Sequence, residues 1–448
     1  MTGQLGILES EIAGRLFRPI HYLGNKWRAL SALETAVDEL SPPPGAALDL
    51  FSGSGVVAAR LGQKRPVIAA DIQEYGRVLA SALLMPAHLS DSKQHALLNQ
   101  VAKASATRTG EFASLLEYEI AAFEQALASK GDRLAEILEQ GSMMASGDSE
   151  IADGALRELL MSALEGMPKG ADTVLTRYYG GIYFSYKQAA DLDAIASVVR
   201  CLPPKVRDTA LAALLSTASQ IVSTVGNQFA QPIRPRSRDG RVKHESVGAV
   251  ARTRQLDAVE AFRRWLTQYQ DLPPSAHSHQ VMRGDYRDVL DQTTATVSII
   301  YADPPYTRDH YSRFYHVLET IAVGDEPDLS RVTIGSEART SRGLYRAERH
   351  QSPFCIKTEV RQAFRDLVQG AAKHGVPLLI SYSPYSNGSA ARPQTRLMTI
   401  PDLESIVNEH FDHVEVRSMG RIAHSKLNAE RLNIEVNPEA EVVIIGRF

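Results

Sequence analysis

Residues 301–311 read YADPPYTRDHY. A run of apolar residues (Val297, Ile299, Ile300) leads straight into Asp303-Pro304-Pro305-Tyr306. Two adjacent prolines can neither continue a helix nor donate to a central sheet ladder. The chain must therefore leave a strand here in a stiff turn, with an acid in front and an aromatic ring behind. Asp303 can accept a hydrogen bond from an amine. Proline has no N–H, so the neighbouring carbonyls are left as acceptors. Tyr306 offers a face for stacking. Together these groups suit a flat heterocycle bearing an exocyclic NH2; the plainer alternative is a capped strand end.

Outward from this turn, short apolar runs recur at residues 46–50, 66–71, 280–284, 296–302, 376–382, 413–418 and 441–447. Near-continuous apolar runs are the pattern of strands covered on both faces. Helical patterns fall between them, at 26–40, 56–61, 74–84, 311–321, 358–372 and 401–409. The alternation predicts an α/β fold with a doubly wound, seven-stranded, mostly parallel sheet. Residues 86–275 interrupt it with stretches of helical spacing such as EFASLLEYEIAAFEQALASK, which reads as a large helical insertion. The chain is thus expected to divide into a first sheet segment (1–85), the insertion (86–275), a second sheet segment (276–324), an irregular segment (325–357) and a last sheet segment (358–448).

Three further constellations sit at predicted strand ends. Asp49-Leu50-Phe51-Ser52-Gly53-Ser54-Gly55 is an acid followed by a glycine-rich loop. It is not GxGxxG and carries no Walker lysine, so a phosphate cradle is disfavoured. Asp71 lies 22 residues beyond Asp49, at the expected end of the second strand. It is placed either to accept from the hydroxyls of a ribose or to cap a helix. Tyr22-Leu23-Gly24-Asn25-Lys26 opens a helix with a lysine that the helix dipole disfavours, so Lys26 either neutralises a ligand carboxylate or is solvated.

The wider composition is that of a soluble globular protein, 44% hydrophobic and 23% charged, with a net charge of -3. Any polyanion surface must then be local. Two distant cysteines, Cys201 and Cys355, offer neither a disulfide framework nor a cysteine-rich zinc site, which suits a reducing cytoplasm. The first residues, MTGQLGILESEIAG, lack the apolar core of a signal peptide, and no run approaches the ~20 apolar residues of a membrane span. Two local excesses of positive charge stand out. Residues 234–254 hold seven Lys/Arg against two acids, and 331–349 hold five arginines against two glutamates. Arg234, Arg236, Arg238, Arg241 and Lys243 in the first suit phosphates; Arg339 and Arg342 in the second suit guanine edges. Either segment could equally be a solvated charged loop.

HYLGNK, DLFSGSG, AADI and DPPY, in that order, resemble the D12-class adenine-N6 DNA methyltransferases. The longer string DPPYTRDHYSRFYHVLETIA is similar to the form in methyltransferases of type IIS restriction-modification systems. RYYGGIYFSYKQAADLDAI, ASQIVSTVGNQFA, SPFC and LISYS carry the similarity over most of the chain. After DPPY, Thr307-Arg308-Asp309-His310 departs from the usual Asn-x-Arg-Gln. The resemblance implies a Rossmann-like fold, S-adenosylmethionine as cofactor and no metal. Lys26 and Asp49 would hold the methionine end, with Tyr22 beside them. Phe51, Ser52, Gly53 and Gly55 would form the loop, Asp71 with Ile72 would meet the ribose, and Asp285 with Tyr286 the cofactor's adenine. Asp303, Pro304, Pro305 and Tyr306 would grip a target adenine flipped out of double-stranded DNA. A cognate restriction endonuclease or defence proteins are the implied partners. RNA as the substrate, or a non-catalytic DNA-binding role for the same fold, are the alternatives.

Overall fold

The computed structural model describes residues 16–145, 154–306, 308, 310–383, 396–420 and 441–448. The N-terminal stretch and two of the four residues after DPPY, Thr307 and Asp309, lie outside the described residues. The chain forms two compact units: Met1–Pro86 with Asp271–Ser312 and His350–Phe448, and Ala87–Gln270 with Arg313–Arg349.

The first unit is built on a seven-stranded sheet: β1 (Ala46–Asp49), β2 (Val67–Asp71), β3 (Gln280–Arg283), β4 (Val297–Ala302), β5 (Leu378–Tyr382), β6 (His413–Ser418) and β7 (Val442–Arg447). Their order across the sheet is β3-β2-β1-β4-β5-β7-β6. The pairings from β3 to β5 are parallel, and β7 runs antiparallel to both of its neighbours. Each expected run became a strand within two residues of its expected ends. Because side chains alternate across a strand, successive residues feed opposite cores. Leu48, Ile300, Leu378 and Ile380 pack with Phe364 and Leu403 on one face. Ala47, Ile299, Tyr301 and Leu379 pack with Leu33 and Val57 on the other. Helices therefore cover both faces: Leu30–Glu39, Val56–Gly62 and Glu74–Leu84 on one, Tyr286–Gln292, Val360–Ala372 and Ile400–Asn408 on the other. The outer strands β3 and β6 are only partly buried and carry charged residues, which blunts edge pairing.

The second unit is mostly helical. Helices such as Ala113–Leu127, Asp132–Gln140 and Tyr186–Arg200 enclose a core of Phe123, Ile137, Leu160 and Tyr186. Tyr186–Arg200 starts at a capping box, in which Ser185 and Gln188 satisfy each other's backbone N–H groups. The π-helical turn Leu175–Tyr179 is held by Asp193, whose carboxylate accepts from the Leu175 and Thr176 N–H groups and the Thr176 hydroxyl. Buried Tyr179, Tyr183, Phe229 and His316 form one ring cluster with the half-buried Tyr345. The strings 177–195 and 218–230 thus supply much of this unit's interior.

Two expectations are corrected. The stretch read as irregular contains an antiparallel hairpin, Arg331–Ile334 with Glu337–Thr340, closed by the two-residue loop Gly335-Ser336 with Gly335 at φ 65°. The tight turn imposes pairing that the charged composition hides. The helix expected over 311–321 is two pieces, Tyr311–Phe314 and His316–Val323, because Tyr315 leaves the helical region at φ -122°, ψ 17°.

Leu379 lies at the sheet centre with no exposed surface. Leu379→Ala is expected to lower unfolding free energy by about 2–5 kcal/mol, measured by urea denaturation.

Candidate active site

Parallel pairing lines up four acids on the carboxyl edge of the sheet. β1 and β2 end on Asp49 and Asp71, Asp303 follows β4 directly, and Asp285 follows β3 by two residues. The register pairs Asp49 with Tyr301 and Asp71 with Arg283, so the four come from adjacent strands at one level.

A narrow cleft of about 270 Å³ is lined by Tyr22, Asn25, Lys26, Asp49, Ser52 and Asp303, among others. Asn25 caps the short Lys26–Ala29 helix by accepting from the Trp27 N–H at 2.7 Å. This turn buries Lys26, whose Nζ lies 2.9 Å from Asp303 Oδ2 and 3.6 Å from Glu441 Oε1. Burial opposes the lysine's charge, but Asp303 and Glu441 outweigh it and hold the pKa well above the usual value. Asp49 is fully buried and neither carboxylate oxygen has a close hydrogen-bond partner. Burial, then the negative charge of Asp303, push its pKa up to about 8; weak contacts from Phe51 N–H and the Ser52 hydroxyl offset this in part. Asp303 keeps Oδ1 unpartnered while Oδ2 meets Lys26. Burial raises its pKa to about 6 against the pull of Lys26, with Glu441 adding to the rise.

A wider cleft of about 770 Å³ opens beside it and shares Tyr22, Phe51 and Asp303. Asp71, Ile72, Asp285, Tyr286 and Pro305 line it. Phe51, Tyr286 and Phe354 make an aromatic wall with ring centroids 5.3–5.5 Å apart. Asp71 accepts from the Gly53 N–H and the Gln73 N–H, both at 2.8 Å, which ties the glycine loop to the start of the next helix. Burial still raises its pKa to about 6. Asp285 caps the helix Tyr286–Gln292. Asp71 is not itself a helix cap, since the helix Glu74–Leu84 has Gln73 at its N-cap position; both Asp71 and Asp285 bind backbone N–H groups while lining the cleft, because a carboxylate oxygen has a second lone pair.

The two loop glycines do different work. Gly53 sits at φ 52° beneath the Tyr22 ring, and a Cβ there would lie 2.6 Å from the Tyr22 hydroxyl oxygen. Gly55, at φ 77°, packs on the helix Glu74–Leu84, where a Cβ would lie 2.9 Å from Ala80 Cα. Pro304 is buried, and Tyr306 is buried with Tyr382 edge-on at 5.4 Å and the Arg396 guanidinium 4.8 Å over its ring.

The sequence reading missed Glu441, Arg396 and Phe354. An acid in front of the apolar run VVII resembles the other strand-end acids in mirror order. Only the reversed direction of β7 brings it to this edge.

In the second unit, the two basic segments meet. Arg234, Lys243 and Arg342 line one groove of about 1170 Å³ with Arg313 and Tyr345, with no acid among its described lining residues. The Tyr345 ring lies 5.2 Å from each of the Arg313 and Arg349 guanidinium carbons. The other candidates are engaged locally: Arg236 with Asp132 and Glu139, Arg241 with Asp239, and Arg339 with Glu337. Arg238 is in the same loop as Arg236 and is exposed.

A model of the D12 class of N6 adenine-specific DNA methyltransferases matches residues 22–128 and 256–373, about half of the chain. The chain belongs to this family. The matched residues hold every strand-end acid of the two clefts, so the D12-class assignment and the geometry rest on the same side chains. Among curated proteins, the chain is 35% identical over 141 residues to the Type II methyltransferase M.FokI of Planomicrobium okeanokoites, covering 31% of this chain and 18% of that protein. It is 38% identical over 88 residues to the modification methylase LlaI of Lactococcus lactis subsp. lactis, covering 20% of this chain and 12% of that one. The chain thus spans less than a fifth of the length of these relatives. Among the described residues, no helix is long and apolar enough to cross a membrane.

The raised pKa of Asp49 has a stability consequence. A carboxyl held neutral by folding binds its proton more tightly in the folded than in the unfolded state, so its ionisation destabilises the fold as pH rises from 3.8 towards about 8. Asp49→Asn is expected to melt above the wild type at pH 8 in the absence of ligand. The gap should close as pH falls to 4, followed by calorimetry across pH.

Proposed function

We propose that this D12-class protein transfers a methyl group from S-adenosylmethionine to the N6 amine of an adenine flipped out of duplex DNA. The observation that carries the reading is Asp303: a mostly buried carboxylate with one unpartnered oxygen, in the turn between two clefts, with a proline carbonyl next in sequence.

The clefts fit the cofactor on chemical grounds. The two unpartnered oxygens of Asp49 suit an ammonium group, and Lys26 suits a carboxylate. Asp71 suits a ribose, and the wall of Phe51, Tyr286 and Phe354 suits a flat ring whose exocyclic amine Asp285 could accept. When bound, S-adenosylmethionine supplies an electrophilic methyl carbon. The protein's part is to make the amine a nucleophile and to aim it. An aromatic amine is weak because its lone pair is delocalised into the ring. Asp303 and the Pro304 carbonyl, accepting its two hydrogens, favour a tetrahedral nitrogen with the lone pair restored. In-line positioning then does most of the remaining work. A carboxyl with pKa about 6 is also suited to take the proton that the amine sheds. The Tyr306 ring, already faced by a planar guanidinium, is suited to stack on a base.

The groove of Arg234, Lys243, Arg313 and Arg342 is the part of the second unit suited to the phosphate backbone. Arg342 is the candidate for base edges and Arg238 for a further phosphate, whereas Arg236, Arg241 and Arg339 are paired with acids of their own. The names of the relatives, a Type II methyltransferase and a modification methylase, support a place in a restriction or defence system with a nuclease counterpart.

Asp303→Ala should abolish transfer of labelled methyl to duplex DNA while leaving S-adenosylmethionine affinity largely intact; full activity would sink the mechanism. Wild-type transfer should fail below about pH 6, where Asp303 becomes protonated. Labelling of RNA but not DNA would redirect the substrate. Modification-sensitive long-read sequencing of DNA from expressing cells gives base and motif together. Replacing Arg234 and Lys243 with alanine should weaken duplex binding with little change in sequence preference. The slope of log affinity against log salt should fall by about one for each phosphate no longer neutralised.

A further inference from the structure

Lys26 has two carboxylates. Its Nζ donates to the Gly24 carbonyl at 3.1 Å, meets Asp303 Oδ2 at 2.9 Å and stands 3.6 Å from Glu441 Oε1. The three side chains are withdrawn from water, at 3%, 17% and 5% exposure. One carboxylate would suffice to pair a buried ammonium; a second one adds desolvation and like-charge repulsion, and so needs a reason. Glu441 also receives the Tyr306 hydroxyl at 3.5 Å. It lies outside the residues that match the family model. In the present arrangement Lys26 covers one oxygen of Asp303, the group that must turn to an incoming amine.

We propose that Glu441 is a positioning residue: it offers the Lys26 ammonium a second seat, so that Asp303 can be released to accept the hydrogens of the target amine while the lysine stays paired and buried. The inference rests on the methyl-transfer reading above. The lysine moves by a small swing between two oxygens already in reach, and its charge never goes unpaired. Glu441 also keeps Asp303 basic. The charged and titratable groups that face Asp303 are Lys26, Glu441, Asp49, Tyr301 and Tyr306, with Arg396 over the Tyr306 ring. Among them Glu441 opposes the pull of Lys26. Through Tyr306, Glu441 also ties the stacking ring to the same pair of charges.

The test uses the full chain. Glu441→Gln keeps the shape and removes the charge. At saturating S-adenosylmethionine it should slow single-turnover methyl transfer by about tenfold, the equivalent of one pKa unit of acceptor strength. Its acid limb should move to lower pH, because Asp303 loses a like-charged neighbour. Glu441→Asp keeps the charge and should retain most of the rate. Lys26→Met should move the Asp303 midpoint to higher pH. The midpoints are also read without catalysis, from the Asp303 13Cγ signal in aspartate-labelled protein, assigned with Asp303→Asn. Wild-type rate and an unmoved midpoint in Glu441→Gln overturn the inference. If that variant does not fold, an unmoved midpoint in Lys26→Met overturns it instead. If the wild type transfers no methyl at all, the functional reading falls, and the carbon signals still decide whether the lysine is shared.

Discussion

The parallel pairing of β1 with β4 is the constraint on which the molecule depends. It sets Asp49 level with Tyr301, two residues before Asp303. From β1 the sheet continues through β2 to β3 on one side, and from β4 to β5 on the other. The chain therefore changes direction of growth between these two strands, and the loops leaving them diverge to opposite faces. A crevice opens where they part, as it does at such switch points in open α/β sheets. Shift this pairing by one residue and the alternating cores of both faces would invert, while Asp49 and Asp303 would no longer share a level.

The crevice is electrostatically uncomfortable by construction. Asp49, Asp71, Asp285 and Asp303 gather at one edge with Glu441; burial drives Asp49, Asp71 and Asp303 towards neutrality, and the buried Lys26 stands among them. Such an arrangement is poor for stability and good for binding. Groups that water would have satisfied are left to a ligand, which is how a site can select by hydrogen-bond complementarity rather than by size. The aromatic wall and the buried strand ends supply the stiffness that keeps these unsatisfied groups from collapsing onto one another.

Much of this was legible in the sequence because the responsible signals are local. Apolar runs marked all seven strands, and the acids at their ends were visible as breaks in those runs. The helix Glu74–Leu84 was readable to the residue. What escaped depends on direction and distance. Nothing in EVVIIG says that the strand runs backwards, so Glu441 could not be assigned to the crevice. The hairpin around Gly335 hides in a charged stretch whose pairing is set by its turn. Arg236 looked available for phosphates but finds Asp132 and Glu139, about a hundred residues away in the chain. Phe354 carried its signal only as part of a short string, and its place on the aromatic wall follows from packing on Phe51 and Tyr286.

The reversed strand has a consequence in time as well as in space. Of the seven strands, β7 is the last to be synthesised, and it slots between β5 and β6, which are already made. Until it does so, β5 has an open edge and the crevice lacks Glu441. A nascent chain that has assembled β1 to β5 would already display the strand-end acids, but with a different balance of charge around Lys26. Full assembly of the crevice is thereby coupled to completion of the sheet, so that a partly made or frayed molecule carries an altered site.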